Sequence, residues 1–325
     1  MAVLMTTTNS GNDYVKFLEK KLLPQVFPIL KLAEHATKYD LPTGQGHKTI
    51  SMFRRSAASA GNVQTLQEAT PISNFTNITL TEVSVTLYQY GEAVRISDLN
   101  SELSRFNQHM IAMEVIGQDL GLKVDDTCRN EIITNATQIK YAGGNTSFSA
   151  LNSATTAATN ALAFTDLISQ RTSLRVNNVP FYNDGDYISF VPSICYHDLF
   201  KDSTVLQILR YPPESKKLFN GEIGTVANIK LVEVGNPFIE NGSGTEGVYD
   251  GSGAIYSTIT IGKDAFGVAD LASMSAYKPK IMTVDKPDSG NPLGQFESIG
   301  YKAYFNAKLL NALFVTVTKS KTSFV

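Results

Sequence analysis

Residues 97–136, SDLNSELSRFNQHMIAMEVIGQDLGLKVDDTCRNEIITNA, carry a helical pattern around which the rest of the chain can be arranged. Ser97 and Asp98 can accept hydrogen bonds from the unpaired N–H groups of a helix start, and the charges of Asp98 and Glu102 suit its positive end. Apolar residues then recur mostly three or four positions apart, namely Phe106, Met110, Met113, Leu120, Val124, Cys128, Ile132 and Ala136. A helix of about 30 residues is roughly 45 Å long. The segment therefore predicts either a long helix in an ordinary core or a spine against which a sheet lies.

Polar residues occupy the other faces of this predicted helix, so it has a single apolar stripe and is not a membrane span. We expect these residues to face solvent, and they are Gln118, Asp119, Lys123, Asp125, Asp126, Arg129, Asn130 and Glu131. The adjacent Asp125 and Asp126 are interpreted as part of this solvated face, because a cation site needs more ligands than the nearby sequence offers.

The composition of the 325-residue chain permits one large or two ordinary domains. Lys and Arg number 28 against 30 Asp and Glu, so the overall charge gives no argument for a nucleic-acid partner. The first ten residues contain no apolar signal-peptide core, and no segment approaches 18 uncharged apolar residues, so we expect neither secretion nor a membrane partner. Cys128 and Cys195 are expected to be buried free thiols.

The segment before the spine predicts an arm followed by a ribbon. Val15, Leu18 and Leu22 follow helical spacing, which Pro24 and Pro28 interrupt. Residues 48–55 and 78–87 are strand-like, the second with an expected bulge between Leu80 and Val83, and the polar residues 56–77 connect them. A lone two-stranded ribbon is marginal in water, and its exposed edges become useful where neighbouring copies cover them. The ribbon is thus the first indication of obligate assembly. Candidate contacts between subunits are Val15, Leu18, Leu22, Lys48, Arg54, Arg55 and Glu68.

The chain beyond the spine predicts mixed helices and strands. Thr165 is expected to cap a helix that continues to Leu174. Residues 187–191, 255–261 and 299–317 are strand-like, residues 223–234 predict a strand pair or a kinked strand, and residues 193–201 suggest a helical turn. The sequence therefore indicates an α+β fold with two interleaved lobes.

The chain offers little that points to catalysis. Residues 242–247, GSGTEG, match the G-x-G-x-x-G pattern, but more glycine and a strand follow instead of the helix that a dinucleotide site requires. The four histidines are scattered, and the neighbouring His197 and Asp198 lack a nucleophile motif. We therefore expect no catalytic residue, no cofactor and no metal site. The alternative is a cytoplasmic α+β enzyme or binding protein that uses the loop from Gly242 to Gly253.

Several short motifs occur in an order that resembles one protein family. They are residues 48–55 (KTISMFRR), 89–91 (QYG) with 97–99 (SDL), 141–144 (YAGG), 221–224 (GEIG), 262–267 (GKDAFG), 291–295 (NPLGQ) and 300–305 (GYKAYF). In this order they are similar to the major capsid proteins of tailed phages, and most similar to the family typified by the podophage N-four. None of the motifs is specific alone, and the resemblance runs from about residue 45 to the end.

This resemblance implies the HK97-type α+β capsid fold and a structural, non-enzymatic role. It implies an N-terminal arm (1–46), an extended loop (47–96), a peripheral lobe with the spine helix (97–180), an axial lobe (181–290) and a return strand (291–325). It further implies self-assembly into pentamers and hexamers of an icosahedral virion head, built in the bacterial cytoplasm. The implied partners are other copies, a portal, scaffolding or decoration proteins, and packaged double-stranded DNA contacted non-specifically at most.

Overall fold

A computed structural model describes residues 31–44, 46–55, 63, 65–66, 68, 75, 80–104, 107–154, 158–182, 185–210, 225–240, 254–275, 279–284 and 290–324. The helices are α1 (Asp98–Leu103), α2 (Gln108–Asn135), α3 (Phe148–Ser153), α4 (Phe164–Val176), α5 (Ser193–Lys201) and α6 (Ser203–Arg210). The strands are β1 (Thr37–Leu41), β2 (Thr49–Arg55), β3 (Leu80–Thr86), β4 (Tyr88–Ser97), β5 (Gln138–Tyr141), β6 (Tyr187–Pro192), β7 (Thr225–Val226), β8 (Ile229–Val234), β9 (Ile239–Glu240), β10 (Ile255–Ile261), β11 (Phe266–Leu271), β12 (Lys280–Val284), β13 (Phe296–Leu309) and β14 (Val315–Ser320). The arm residues Val15, Leu18 and Leu22, the loop 241–253 and Phe106 lie outside the described residues.

The predicted spine is present, but it is divided into two helices. Ser97 caps the short helix α1 by accepting a hydrogen bond from the N–H of Asn100, as expected. A second cap at Asn107 then starts α2, a helix of 28 residues and therefore about 42 Å long. Its buried stripe follows the predicted periodicity and includes Met113, Ile116, Leu120, Val124, Cys128 and Ile132. The spine interpretation is confirmed, because this stripe packs on strand β13.

A five-stranded sheet is centred on β13, the longest of the described strands. Strand β4 pairs antiparallel along one side of β13, while β12 and β11 pair with successive parts of its other side. Strand β1 adds to β11 in parallel. Residues 88–96, which the resemblance assigned to the extended loop, are therefore hydrogen-bonded into this sheet, and among the described residues the ribbon of that loop consists of β2 and β3.

A seven-stranded sheet follows the order β5-β14-β10-β6-β8-β7, with β9 on the far part of β10. One of its faces shares the core of the spine helix through residues such as Phe190, Ile259 and Val317. Its other face packs beneath α4, α5 and α6 through residues such as Tyr187 and Tyr256. Both faces are covered, which explains why all seven residues of β10 are buried.

Most other predicted elements are present, with one correction at a helix start. The strands at 187–192 and 255–261 and the helix at 193–201 are confirmed, and residues 225–234 form the strand pair β7 and β8. The strand-like run 299–317 is divided between β13 and β14. Thr165, however, is not the cap of its helix, which begins at Phe164. Asp166 instead accepts a hydrogen bond from the N–H of Ala163 at 3.0 Å, so the acidic residue two positions inside the helix stabilises its start.

Gly300 permits a close approach between β4 and β13, because a Cβ at this position would lie 2.5 Å from the carbonyl oxygen of Glu92. We expect Gly300→Ala to lower the free energy of unfolding by about 1–3 kcal/mol, the usual cost of overpacking. Gly235→Ala is the matched control, since a Cβ there meets nothing within 4 Å, and it should stay within about 0.5 kcal/mol of the wild type. Urea unfolding of both variants tests this, and equal stabilities would contradict the close approach.

Candidate assembly surfaces

The ribbon formed by β2 and β3 has two chemically different faces. The strands pair antiparallel from Thr49 opposite Thr86 to Arg55 opposite Leu80, one residue to one residue. The expected bulge between Leu80 and Val83 is therefore wrong, and each strand alternates regularly between its two faces.

The inner face of the ribbon is apolar and packs on its own subunit. Met52 and Val85 are 4% and 1% exposed, and they form a small core with Leu87 and Ala269 of strand β11. The ribbon thus lies on the five-stranded sheet, which supplies the support that a two-stranded unit needs.

The outer face of the ribbon is polar near its base and apolar near its end. Ser51 donates a hydrogen bond to Glu82 on this face. Phe53 and Leu80 follow towards the end, and they are 68% and 63% exposed. They are diagonal neighbours across the two strands, which brings two large apolar side chains within reach of each other on one exposed surface.

The candidate contact residues of the ribbon differ in their contacts and in the face of the ribbon on which they stand. Lys48 and Glu68 are exposed. Arg54 is also exposed, but it stands on the inner face, and its guanidinium donates a long hydrogen bond of 3.4 Å to the carbonyl oxygen of Leu310. The backbone of Arg55 pairs with Leu80. Arg54 therefore faces solvent but also contacts its own subunit.

The beginning of the described chain is anchored by Asp125 of the spine helix. Its Oδ1 atom accepts hydrogen bonds from the N–H groups of Lys31, Leu32 and Ala33 at 3.1, 2.9 and 3.2 Å. Asp125 is only 4% exposed, so the expectation that it faces solvent is wrong. Asp125 lies four positions after Gly121 and three before Cys128, and both of these belong to the buried stripe of the helix. This spacing was the feature of the sequence that indicated burial of Asp125.

Burial raises the pKa of Asp125 to about 6, despite the opposing effect of the three N–H donors. The folded state then binds a proton more readily than the unfolded chain between about pH 4 and 6, so this group makes stability fall as pH rises through that range. Relative to Asp125→Asn, the wild type should lose roughly 2–3 kcal/mol between pH 4 and 7.

This pH dependence can be measured by urea unfolding of the wild type and Asp125→Asn at each pH, because groups common to both cancel in the difference. A constant difference would contradict the raised pKa. Asp125→Ala serves as the second variant, since it leaves three N–H groups without their acceptor and should be the least stable at neutral pH.

A second exposed apolar surface lies at the start of the spine helix. A groove of about 600 Å³ is bounded by β4, α1 and the first turns of α2, with Phe296 at the start of β13. Ile111 and Val115 line it and are 44% and 48% exposed, one turn apart on α2. This surface was not predicted from the sequence, because Ile111 and Val115 belong neither to the predicted apolar stripe nor to the predicted polar faces of the helix.

The side chains that could have taken part in catalysis or redox chemistry are instead buried within the fold. Both carboxylate oxygens of Asp198 accept a hydrogen bond from the N–H of Ser323, at 3.2 and 3.1 Å, so this buried residue holds the end of the chain. Cys128 and Cys195 are buried free thiols, as predicted. Burial raises the pKa of the Cys128 thiol well above its usual value and that of Cys195 to about 12. These thiols are therefore unreactive.

No described helix is long and apolar enough to cross a membrane. Among the described side chains, no group of three or more His, Cys, Asp or Glu residues is placed to hold a metal ion.

Comparison with known proteins gives matches to solved structures. No family model and no curated protein matches the sequence. The capsid of Ralstonia phage GP4 aligns with a TM-score of 0.65 at 12% identity, covering 91% of this chain and 92% of that one. The cyanophage Pam1 capsid aligns with a TM-score of 0.65 at 14% identity, covering 93% of both chains. The capsid of cyanophage P-SCSP1u aligns with a TM-score of 0.64 at 16% identity, covering 89% and 87%.

These alignments run through nearly the whole of each chain, so they include the spine helix and both sheets together. They agree with the α+β capsid fold that the sequence motifs implied. The chain therefore has the α+β fold of phage capsid proteins, the HK97-type fold.

Proposed function

We propose that this chain is the major capsid protein of a tailed phage, which assembles into pentamers and hexamers of an icosahedral head around double-stranded DNA. The observation that carries the proposal is the match to phage capsid structures along about nine tenths of both chains. The ordered sequence motifs favour the N-four-like podophage family in particular.

The exposed surfaces of the subunit support a role in assembly. The ribbon end at Phe53 and Leu80 and the groove at Ile111 and Val115 expose apolar surface that repeated contacts between copies would cover. Such contacts combine apolar burial with complementary charge. In this proposal the residues Lys48, Arg54, Arg55 and Glu68 surround the ribbon contact, and the arm residues Val15, Leu18 and Leu22 contact a neighbour.

The remaining partners follow from the same proposal. A closed head that is filled with DNA needs a portal, and scaffolding or decoration proteins are further candidates. The near balance of 28 basic and 30 acidic residues suits a non-specific contact with DNA at most. The proposed location is the virion, with assembly in the bacterial cytoplasm.

Size-exclusion chromatography combined with electron microscopy of the purified chain tests this function. The expected result is megadalton particles or closed rings of five and six subunits. A stable monomer or dimer at all concentrations and ionic strengths would overturn the proposal and favour the enzyme alternative.

Removal of residues 1–30 should leave a folded subunit that forms aberrant particles or none. The truncation ends just before Lys31, whose N–H is the first of the three bonded to Asp125, so the described body keeps its anchor. Circular dichroism melting and particle yield by sedimentation, compared with the full chain, measure the two effects separately. Normal particles of unchanged stability would contradict a role for the arm.

A further inference from the structure

The short helix α1 leaves an apolar stripe uncovered beside the groove at the start of α2. Leu99 and Leu103 are 65% and 75% exposed, and their spacing of four positions places them on one face of the helix. Asn100 lines the groove, and Leu103 follows it by one helical turn, so the α1 stripe borders the groove. Large apolar side chains that are exposed together in this way mark a contact surface.

The groove beside this stripe is also apolar, and its walls are tied together. Ile111 and Val115 stand one turn apart on α2 and are 44% and 48% exposed, while Ala112 is buried between them. The side-chain amide of Gln108 donates a hydrogen bond of 2.6 Å to the hydroxyl of Ser104. This bond joins the end of α1 to the start of α2, so it fixes the stripe next to the groove.

The charges of the stripe and the groove are opposite in sign. Arg95 is the only charged residue among the described residues that line the groove, and its guanidinium lies 4.8 Å from the centre of the Phe296 ring. Asp98 and Glu102 stand beside the α1 stripe, and both are exposed. Within the described part of the chain, none of these three charged side chains forms an ion pair. Both signs of charge are therefore available to a partner.

The arrangement of stripe and groove fits two identical subunits that are related by a two-fold axis. Because the stripe and the groove lie side by side on one surface, a two-fold rotation places the stripe of each subunit at the groove of the other. In both contacts apolar side chains then meet apolar side chains, and the carboxylates of α1 approach Arg95 of the other subunit. A head-to-tail contact would instead need the stripe and the groove on different sides of the subunit.

We propose that two copies of this chain pair about a two-fold axis, with the α1 stripe of each copy (Leu99 and Leu103) in the Ile111–Val115 groove of the other. Rings of five or six subunits close through head-to-tail contacts, so a two-fold pair joins subunits of different rings. That last step rests on the proposed capsid function, whereas the pairing itself does not.

Oxidation of a full-length chain that carries both Leu103→Cys and Ile111→Cys tests the pairing. In a two-fold pair the two disulfides join the same two subunits, so the covalent product stops at the dimer. We expect reducible dimers on a non-reducing gel at least about tenfold more abundant than from the control, because pairing holds the thiols at high effective concentration. The buried Cys128 and Cys195 need not be replaced.

The other products of this oxidation would each overturn the inference. Trimers and longer covalent chains would show a head-to-tail contact. A monomer that migrates faster only without reductant would show that the stripe meets the groove of its own subunit. Absence of any disulfide between positions 103 and 111 would leave the groove to another segment or another partner.

Val176→Cys replaces Leu103→Cys in the matched control chain. Val176 is as exposed as Leu103, at 74% against 75%, and it ends α4 on the other side of the seven-stranded sheet. Equal dimer yields from the two chains would overturn the inference, because they would reflect exposure alone.

Charge reversal in two separate chains tests the same contact without new cysteines. Arg95→Glu and Glu102→Arg each place like charges together in both contacts of the pair, so each chain alone should pair at least about tenfold less than the wild type. An equal mixture should recover pairing to within about twofold, because every contact of a mixed pair joins opposite charges again. The measurement is sedimentation velocity of the subunits, with thermal melts that should stay unchanged because both side chains are exposed.

The mixture separates a contact between subunits from one within a subunit. Charges that met only inside one chain would stay alike after mixing, so a mixture that recovers no pairing would overturn the inference. Single variants that pair as well as the wild type would overturn it as well.

Electron microscopy of the wild-type chain keeps this inference apart from the proposed function. Particles whose subunits give no covalent dimers in the cysteine experiment overturn only the pairing. Covalent dimers from a chain that forms neither particles nor rings support the pairing and overturn the capsid function. Absence of both overturns both proposals.

Discussion

Leu120→Asp should yield no soluble, cooperatively folding protein. Leu120 is fully buried midway along the spine helix, in the core that joins the helix to both sheets. The substitution removes about 1.5–3 kcal/mol of apolar burial. It also buries a carboxylate without a partner, at a cost of several kcal/mol. Together these losses approach the whole stability of a typical domain, about 5–15 kcal/mol.

Leu122→Asp is the matched control for this prediction, because Leu122 is two residues further along the same helix and 37% exposed. It changes the same residue type to the same carboxylate while leaving the charge in water, so soluble protein with a cooperative melt is expected. The measurement is the soluble fraction after expression, followed by thermal unfolding. Soluble, cooperative Leu120→Asp protein would show that the stripe is not the core.

The helices and strands of this fold were predictable where the spacing of apolar residues depends on positions close together in the sequence. The apolar periodicity of the spine depends on residues three or four positions apart, and the buried stripe follows it from Met113 to Ile132. Three strands of the seven-stranded sheet, β6, β8 and β10, were visible as short runs of β-branched and aromatic residues, whereas β5 and β9 were not predicted. The division of the spine into α1 and α2 was missed because the apolar stripe continues through the break, whose second cap is the single residue Asn107.

The errors on the spine helix arise where distant segments override the local pattern. Asp125 is buried because residues 31–33 supply three N–H donors. Arg129 is 4% exposed because it donates to the carbonyl oxygens of Asn236 and Pro237, at 3.0 and 3.2 Å, and pairs with Asp126 at 3.0 Å. Apart from Asp126, which is one helical turn away, these partners lie about a hundred residues away along the chain. The spacing of Asp125 within the buried stripe indicates its burial, but no pattern within the helix identifies the distant partners, and the default for a charged residue is exposure.

The candidate assembly surfaces were predictable only in outline. Two strands separated by a polar stretch were enough to indicate a ribbon, and they pair as expected. Which face of the ribbon is free depends on the sheet beneath it, where Ala269 covers Met52 and Val85. That choice of face places Phe53 outside and Arg54 inside, so the apolar residue of the pair becomes the better candidate for a contact between subunits.

Phe53→Lys should abolish particle formation while leaving the subunit stable. In the lone subunit the side chain is 68% exposed and stands opposite Glu82, so a lysine there keeps the fold within about 0.5 kcal/mol of the wild type. In the proposed shell the same position is covered by a neighbour, and a lysine would have to lose its water in every repeated contact. The desolvation of this charge costs several kcal/mol at each contact, and a pair with Glu82 need not recover that cost.

Met52→Lys is the matched control for this variant. Met52 is the adjacent residue, but it stands on the inner face and is 4% exposed. Its lysine would be buried against strand β11 within the subunit itself, so its thermal melt should fall together with its particle yield. Thermal melting of dissociated subunits and sedimentation of particles separate the two outcomes. Wild-type particle yield from Phe53→Lys, or a melt lowered as much as that of Met52→Lys, would show that the outer face of the ribbon is not a contact between subunits.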